Sequence, residues 1–237
     1  MNRGGRGMMD RLRALDPGQS LPSILFFRLC HDAALLALTA LYRMRSFDEE
    51  RVPGRGGVVL VANHQSHLDP PAIGCLLRRR HIVPIARMGL FKNPVLGWLI
   101  TRLNSISINE KEGDAVAIRR AVRELHAGRC VLIFPEGSRT PDGTVREFKR
   151  GTWLLLSRAR CAVVPVAIEG AYEAWPRHAR FPRVWGQRIS VKFGEAIEFE
   201  ELVALGADGG LARLRDEVIG LREALRRKAA GRQGDGA

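Results

Sequence analysis

The 237-residue sequence has the size of one ordinary domain, or of a domain with an appended arm, and its 46% hydrophobic content can fill a large core. A formal charge of +13 calls for an anionic partner. Most Phe and Trp residues lie inside apolar runs such as ILFF and VLGWLI, not beside basic clusters, so an anionic membrane surface is the expected partner and nucleic acid is not. The four cysteines, Cys30, Cys75, Cys130 and Cys161, form no CxxC pair, which argues for a reducing cytosol and against a disulfide framework or a zinc site.

A basic, Gly-rich start leads into an apolar stretch from Leu21 to Tyr42 that contains Arg28, His31 and Asp32. Its uninterrupted part, residues 33–42, falls well short of the roughly 20 apolar residues a spanning helix needs, so crossing a bilayer is disfavoured. A signal peptide is also disfavoured, because the apolar run is broken and no small-x-small site follows. Wound at about 100° per residue, Arg28, His31, Asp32, Thr39 and Arg43 fall in an arc of about 120°. That pattern suits a helix lying in a membrane interface; the alternative is a helix buried on the protein's own core with its polar stripe outward.

Beyond the turn at RVPGRGG, the Val-rich run 58–62 reads as a buried strand. Asp69-Pro70-Pro71 reads as a helix start, with Asp69 as N-cap and apolar residues to Leu77. A strand is expected at 81–86, a helix at 93–103, a strand at 105–108 and a helix at 114–127 that ends on Gly128. Residues 130–134 form another buried strand, followed by a polar turn, a helix at 151–159 and strands at 162–168 and 189–193. Leu211, Leu214, Val218, Leu221 and Leu225 then repeat at 3-4-3-4 spacing within a basic segment. This helix either docks on the domain or forms a lipid-facing basic arm; it is too short for a coiled coil. The alternation predicts an α/β fold: a mixed, largely parallel sheet flanked by helices, with an amphipathic membrane-associated segment at the N-terminus. The expected division is residues 1–45, a catalytic domain at 46–210 and a basic helix and tail at 211–237.

Chemistry concentrates at two strand ends. VLVANHQSHLDPP places His64 and Asp69 in one loop. Removing a proton from an attacking hydroxyl suits a neutral imidazole whose other nitrogen is held by a carboxylate. On a regular helix, side chains five residues apart would diverge by about 140°, so the pair meets only if the chain turns between them. A purely structural role for both, or His67 as the base, are the alternatives. VLIFPEGSR is a strand breaking into a turn in which Gly137 and Arg139, with exposed N–H groups, can cradle a phosphate; the alternative is an ordinary turn with a surface Arg. FKRG adds Lys149, and VVPVAIEG puts Pro165 in an edge-like or switching strand.

Taken together these segments resemble the glycerophospholipid acyltransferase family, the lysophosphatidate acyltransferases in particular. NHQSHLD looks like its histidine–four–aspartate block, with Asn63 also matching. KNPVLGW is similar to the second block, FPEGSR to the third with Ser138 for the commoner Thr, and VPVAI to the fourth. The resemblance implies His64 as base, Asp69 as its orienting partner, and Glu136, Gly137, Ser138, Arg139, Lys149 and Asn63 around the acceptor. It implies acyl-CoA or acyl carrier protein as donor, a lysophospholipid acceptor, no cofactor or metal, and residence on the cytoplasmic face of the inner or plasma membrane. One block departs: SISINEKEGD puts Asn109 or Glu110 where the family usually has an Arg. Lys111, Arg102 or Arg87 would have to replace that cation; otherwise the acceptor is another lysolipid or a glycerol phosphate. A non-catalytic basic membrane- or nucleic-acid-binding module is the reading from a different class.

Overall fold

The computed structural model describes residues 20–92, 94–102, 105–108 and 115–234. Helix α1 (Leu21–Tyr42) is followed by strand β1 (Arg45–Phe47), β2 (Val58–Ala62) and α2 (Asp69–Leu76). Strand β3 (Ile82–Arg87), α3 (Pro94–Arg102), β4 (Ile106–Ile108), α4 (Ala115–His126) and β5 (Cys130–Ile133) continue the alternation. Helix α5 (Arg150–Ala159), β6 (Ala162–Glu169), α6 (Ala171–Ala174), β7 (Ser190–Phe193), α7 (Phe199–Val203) and α8 (Gly206–Gly234) complete it.

The sheet has seven strands in the order β1-β7-β6-β2-β5-β3-β4. Neighbours are parallel except β6 and β7, which run antiparallel from Val166↔Phe193 to Glu169↔Ser190. This is the mixed, largely parallel α/β sheet that the alternation predicts. Pro165 lies in a central strand, paired with Val61 of β2, just before the ladder with β7 begins at Val166. A residue with no N–H fits there because it stands where the strand changes partners.

β2 is buried along its whole length and divides its side chains by the period of two. Val58, Leu60 and Ala62 join a core with α2, Tyr42 and β7, whereas Val59 and Val61 join one with α4, α5 and α8. The leucine repeat of α8 docks on the second face, with Leu211, Leu214, Val218 and Leu225 buried. Of the two expectations for this segment, docking is the one found.

α1 combines features of both of its expected roles. It is one continuous helix of 22 residues, capped by the Ser20 hydroxyl and ended by Arg43 in the left-handed region. In length and composition it could cross a membrane, which the broken apolar run argued against. One side of it is nevertheless packed on the domain: Ile24, Phe27 and Tyr42 are buried, and Leu35, Leu38 and Leu41 lie against the core. Phe27 stacks on His81 with ring centroids 3.9 Å apart, and the Cys75 thiol donates to the His31 carbonyl. Leu25, Leu29 and Leu36 form an apolar strip that remains open to solvent.

Candidate active site

β2 and β5 are adjacent and parallel, so the loops that leave their C-terminal ends emerge side by side. The first carries His64, the second Glu136 to Arg139. Two bonds join the loops around His64: its N–H donates to Glu136 Oε1 at 2.9 Å, and its carbonyl accepts from the Thr140 N–H at 2.8 Å. The base candidate therefore has its backbone held from both sides.

The His64 side chain reaches Asp69, with Nδ1 and Oδ2 2.8 Å apart. Oδ2 also accepts the N–H groups of Gln65 at 2.6 Å and Ser66 at 2.8 Å. An oxygen already accepting from two amides accepts from the ring too, so Nδ1 carries the hydrogen and Nε2 keeps the lone pair. Asp69 is wholly buried, while the His64 side chain is 18% exposed. Phe134, the residue after β5, stacks on the imidazole with centroids 4.1 Å apart and planes 18° apart. Carboxylate and aromatic face together fix both tautomer and ring plane.

The expected N-cap role of Asp69 is not what the structure has. The helix is capped at Leu68 without a side-chain bond, and Asp69 occupies its first turn. Its carboxylate turns back onto the preceding loop, which needs those N–H groups satisfied in the interior. The Ser66 hydroxyl accepts from the Leu68 N–H and donates to the Trp175 carbonyl. His67, the alternative base, is exposed and meets the edge of the Trp175 ring at 5.3 Å.

Asn63 and Glu136 stand behind the site and hold it together. The buried Asn63 amide donates to the Ile168 carbonyl and accepts from the Ile168 N–H, at 3.0 and 2.9 Å, tying the His64 loop to β6. The Glu136 carboxyl is fully buried. Burial pushes its pKa up, opposed by the bonds from the His64 N–H and from Arg146. Gly137 has φ of 72°, a conformation suited to glycine, and its N–H closes the turn on the Phe134 carbonyl at 3.0 Å. That N–H is therefore already bonded within the turn. The Lys149 side chain crosses Gly137 closely enough that Nζ would lie 2.7 Å from an added Cβ. Lys149 is exposed and Arg139 and Ser138 are partly exposed, so these three side chains reach the surface beside His64. Lys111, with Asn109 and Glu110, lies outside the described residues.

Arg146 escaped sequence reasoning, as did Phe134. Arg146 Nη2 donates to the carbonyl of Ser138 at 2.5 Å and to its hydroxyl at 2.6 Å, and Nε lies 3.4 Å from Glu136 Oε2. Arg215 on α8 in turn donates to the Arg146 carbonyl at 3.3 Å. A basic residue eight positions beyond the turn, in a segment with no periodicity, carries no sequence signal for this clamp.

The acyltransferase family profile matches residues 43–169, from the start of the sheet to the end of β6. The chain belongs to the acyltransferase family. Both site loops fall inside the match. It is similar to the chloroplastic 1-acyl-sn-glycerol-3-phosphate acyltransferase of Arabidopsis thaliana, 27% identical over 146 residues, covering 60% of this chain and 40% of that protein. It is also similar to the lyso-ornithine lipid O-acyltransferase of Pseudomonas aeruginosa, 35% identical over 124 residues, covering 51% of this chain and 47% of that one. Among solved structures, the 1-acyl-sn-glycerophosphate acyltransferase of Thermotoga maritima superposes with a TM-score of 0.70 at 25% identity, covering 88% of this chain and 81% of that one. The chain thus spans less than half the length of these two relatives, and most of the Thermotoga structure.

Proposed function

We propose that this chain transfers a fatty acyl group from the thioester of acyl-CoA or acyl carrier protein to the free hydroxyl of lysophosphatidate, giving phosphatidate at a membrane surface. The observation that supports the chemistry is the His64–Asp69 contact of 2.8 Å with Nδ1 as donor. His64 Nε2 removes the acceptor's hydroxyl proton as its oxygen attacks the thioester carbonyl carbon. The tetrahedral intermediate collapses, the C–S bond breaks, and the proton passes from the imidazolium to the departing thiolate to give the free thiol. Asp69 steadies the imidazolium while it exists. Arg139 and Lys149 supply positive charge for the acceptor's phosphate, and a planar guanidinium is suited to grip two of its oxygens. The exposed strip of α1 supports work at a bilayer, on the cytoplasmic face, where the donor is available.

A second acceptor is favoured by two observations. Asn109-Glu110 stand where the family usually has Arg, and the Pseudomonas relative acts on a lyso-ornithine lipid. A carboxylate near the acceptor repels a phosphate and attracts a cationic head group. The deciding assay presents the purified protein, in mixed micelles with a long-chain acyl thioester, with lysophosphatidate, glycerol 3-phosphate, lysophosphatidylcholine and lyso-ornithine lipid. Lysophosphatidate is expected to give the highest kcat/KM. If it is the poorest acceptor and lyso-ornithine lipid the best, the acceptor assignment moves to the second reading and the acyl-transfer chemistry stands.

A further inference from the structure

Between α6 and β7 the chain runs through the irregular segment PRHARFPRVWGQR, residues 176–188. It is folded in place. Arg183 N–H donates to the Ala174 carbonyl at 2.7 Å, Ala179 N–H to Pro176 at 3.1 Å, and the Trp175 indole to Ala179 at 3.0 Å. Trp175 also touches the His64 loop, through the Ser66 hydroxyl at 3.0 Å and the His67 ring. The base of this segment is thus part of the wall beside the candidate active site.

Its tip is not packed. Phe181 is 71% exposed and Trp185 is 78% exposed, and the Arg180 guanidinium lies over the Phe181 ring at 5.4 Å. Arg177, Arg180, Arg183 and Arg188 are all exposed, and the segment contains no Asp or Glu. Among the described residues none of these four is in an ion pair with a carboxylate. Two large aromatics held in water beside four unneutralised arginines call for a partner that is apolar in depth and anionic at its face. An interface of anionic lipid has both properties, with aromatic rings at head-group level and arginines among the phosphates.

A second observation points the same way. The four large apolar side chains most open to solvent among the described residues are Trp185, Leu36, Phe181 and Leu29. Two belong to this segment and two to α1. The two elements are tied where they end, since Ile189 N–H donates to the Tyr42 carbonyl at 3.0 Å and Arg45 N–H to Ile189 at 3.1 Å. The C-terminal end of α1 therefore lies beside the end of the segment that flanks the site.

We infer that residues 176–188 form a second membrane contact, in which Phe181 and Trp185 enter the head-group region of an anionic bilayer and the four arginines bind its phosphates. Attachment at α1 and beside the site sets the orientation of the site's mouth towards the lipid. The inference rests on the reading of this chain as one that works on a bilayer, but not on which lysolipid it acylates.

The experiment measures partition of the full chain onto vesicles containing about a third anionic lipid, alongside melting temperature and activity in mixed micelles. Phe181→Ser/Trp185→Ser and Arg180→Glu/Arg183→Glu are the test variants; all four side chains are exposed, so melting should be unchanged. Each arginine at an anionic surface contributes roughly fivefold to partition, so the arginine variant should lose at least about tenfold, and removal of two large apolar rings from the lipid should cost the aromatic variant about as much. The emission attributable to Trp185, taken as wild type minus Trp185→Phe, should shift to the blue on adding vesicles. Intact partition in both variants, with no Trp185 shift, overturns the second contact while leaving the membrane reading in place. A wild type that ignores vesicles overturns both. If the arginine variant keeps vesicle binding but loses turnover with acyl carrier protein relative to acyl-CoA, the segment receives an acidic protein and the lipid proposal falls.

Discussion

At the scale of single residues, loss of His64 should be chemical and not structural, whereas loss of Asp69 should be both. His64→Ala removes a side chain that is partly exposed and whose loop is fixed by backbone bonds, so melting should change little. Turnover should fall by about 10²–10⁴, as loss of a general base does; near-normal activity would end the mechanism. Asp69→Asn should cut turnover comparably through the wrong tautomer. It should also lower stability by about 1–3 kcal/mol, because its oxygen accepts two buried backbone N–H groups. Arg139→Lys should raise the acceptor's KM with little effect on the donor's, since a fork becomes a point charge. Arg146→Ala should mimic it in part by loosening the turn around Ser138, though Arg146 Nη2 is bonded to the turn's own oxygens. The sequence made the His64–Asp69 meeting legible, because a strand end and a Pro-marked helix start require a turn between them. It could not show Phe134 under the imidazole or Arg146 across the Ser138 turn. Those contacts exist because β2 and β5 are neighbours in space, a relation that no spacing in the chain encodes. Asp69 departs from the expected cap for a related reason: a carboxylate at a helix start can accept from N–H groups of the first turn or from those of the loop before it, and here it takes the loop's.

At the scale of elements, periodicity located the strands and helices from β2 to β7 that it picked out within a residue or two, because burial imposes it on the sequence, but it started α8 at Leu211, five residues after its first residue, Gly206. It could not find β1, whose three residues Arg45–Phe47 are too few to alternate and become a strand only by pairing with β7. Nor could it separate the two apolar arcs of α1. A wheel gave one polar stripe and a broad apolar remainder; the fold divides that remainder, with Phe27, Leu35 and Leu38 against the domain and Leu25, Leu29 and Leu36 outside it. That division predicts unequal effects of substitution. Leu29→Glu/Leu36→Glu should reduce partition onto anionic vesicles by at least about tenfold, since burying a leucine contributes about 1.5–3 kcal/mol. The melting temperature should be unaffected, because neither residue packs on the core. Phe27→Ala, on the packed side, should instead lower melting and leave the remaining folded protein able to bind vesicles. A double glutamate variant that partitions like the wild type would remove the exposed strip from the membrane contact.

At the scale of the whole molecule, the cysteines report how cooperatively the layers hold together. Burial pushes the thiol of Cys130, in the middle of the sheet, up to about 12 and that of Cys75, on α2, up to about 11. At pH 8 roughly one Cys75 in a thousand, and fewer Cys130, would be thiolate, so alkylation of the native protein should be very slow at both. Their covers differ. Cys130 is fully enclosed between both faces of the sheet, whereas the Cys75 thiol bonds the His31 carbonyl of α1. α1 rests on the domain through few deeply buried side chains, chiefly Ile24, Phe27 and Tyr42, so it should open at lower cost than the sheet. In rising urea, followed by pulse alkylation and mass spectrometry, Cys75 should become reactive at a lower concentration than Cys130. Anionic vesicles that engage the outer strip of α1 should raise the Cys75 midpoint and leave that of Cys130 nearly fixed. Coincident midpoints would mean that α1 unfolds with the sheet as one unit, and that its attachment is stronger than three buried side chains imply.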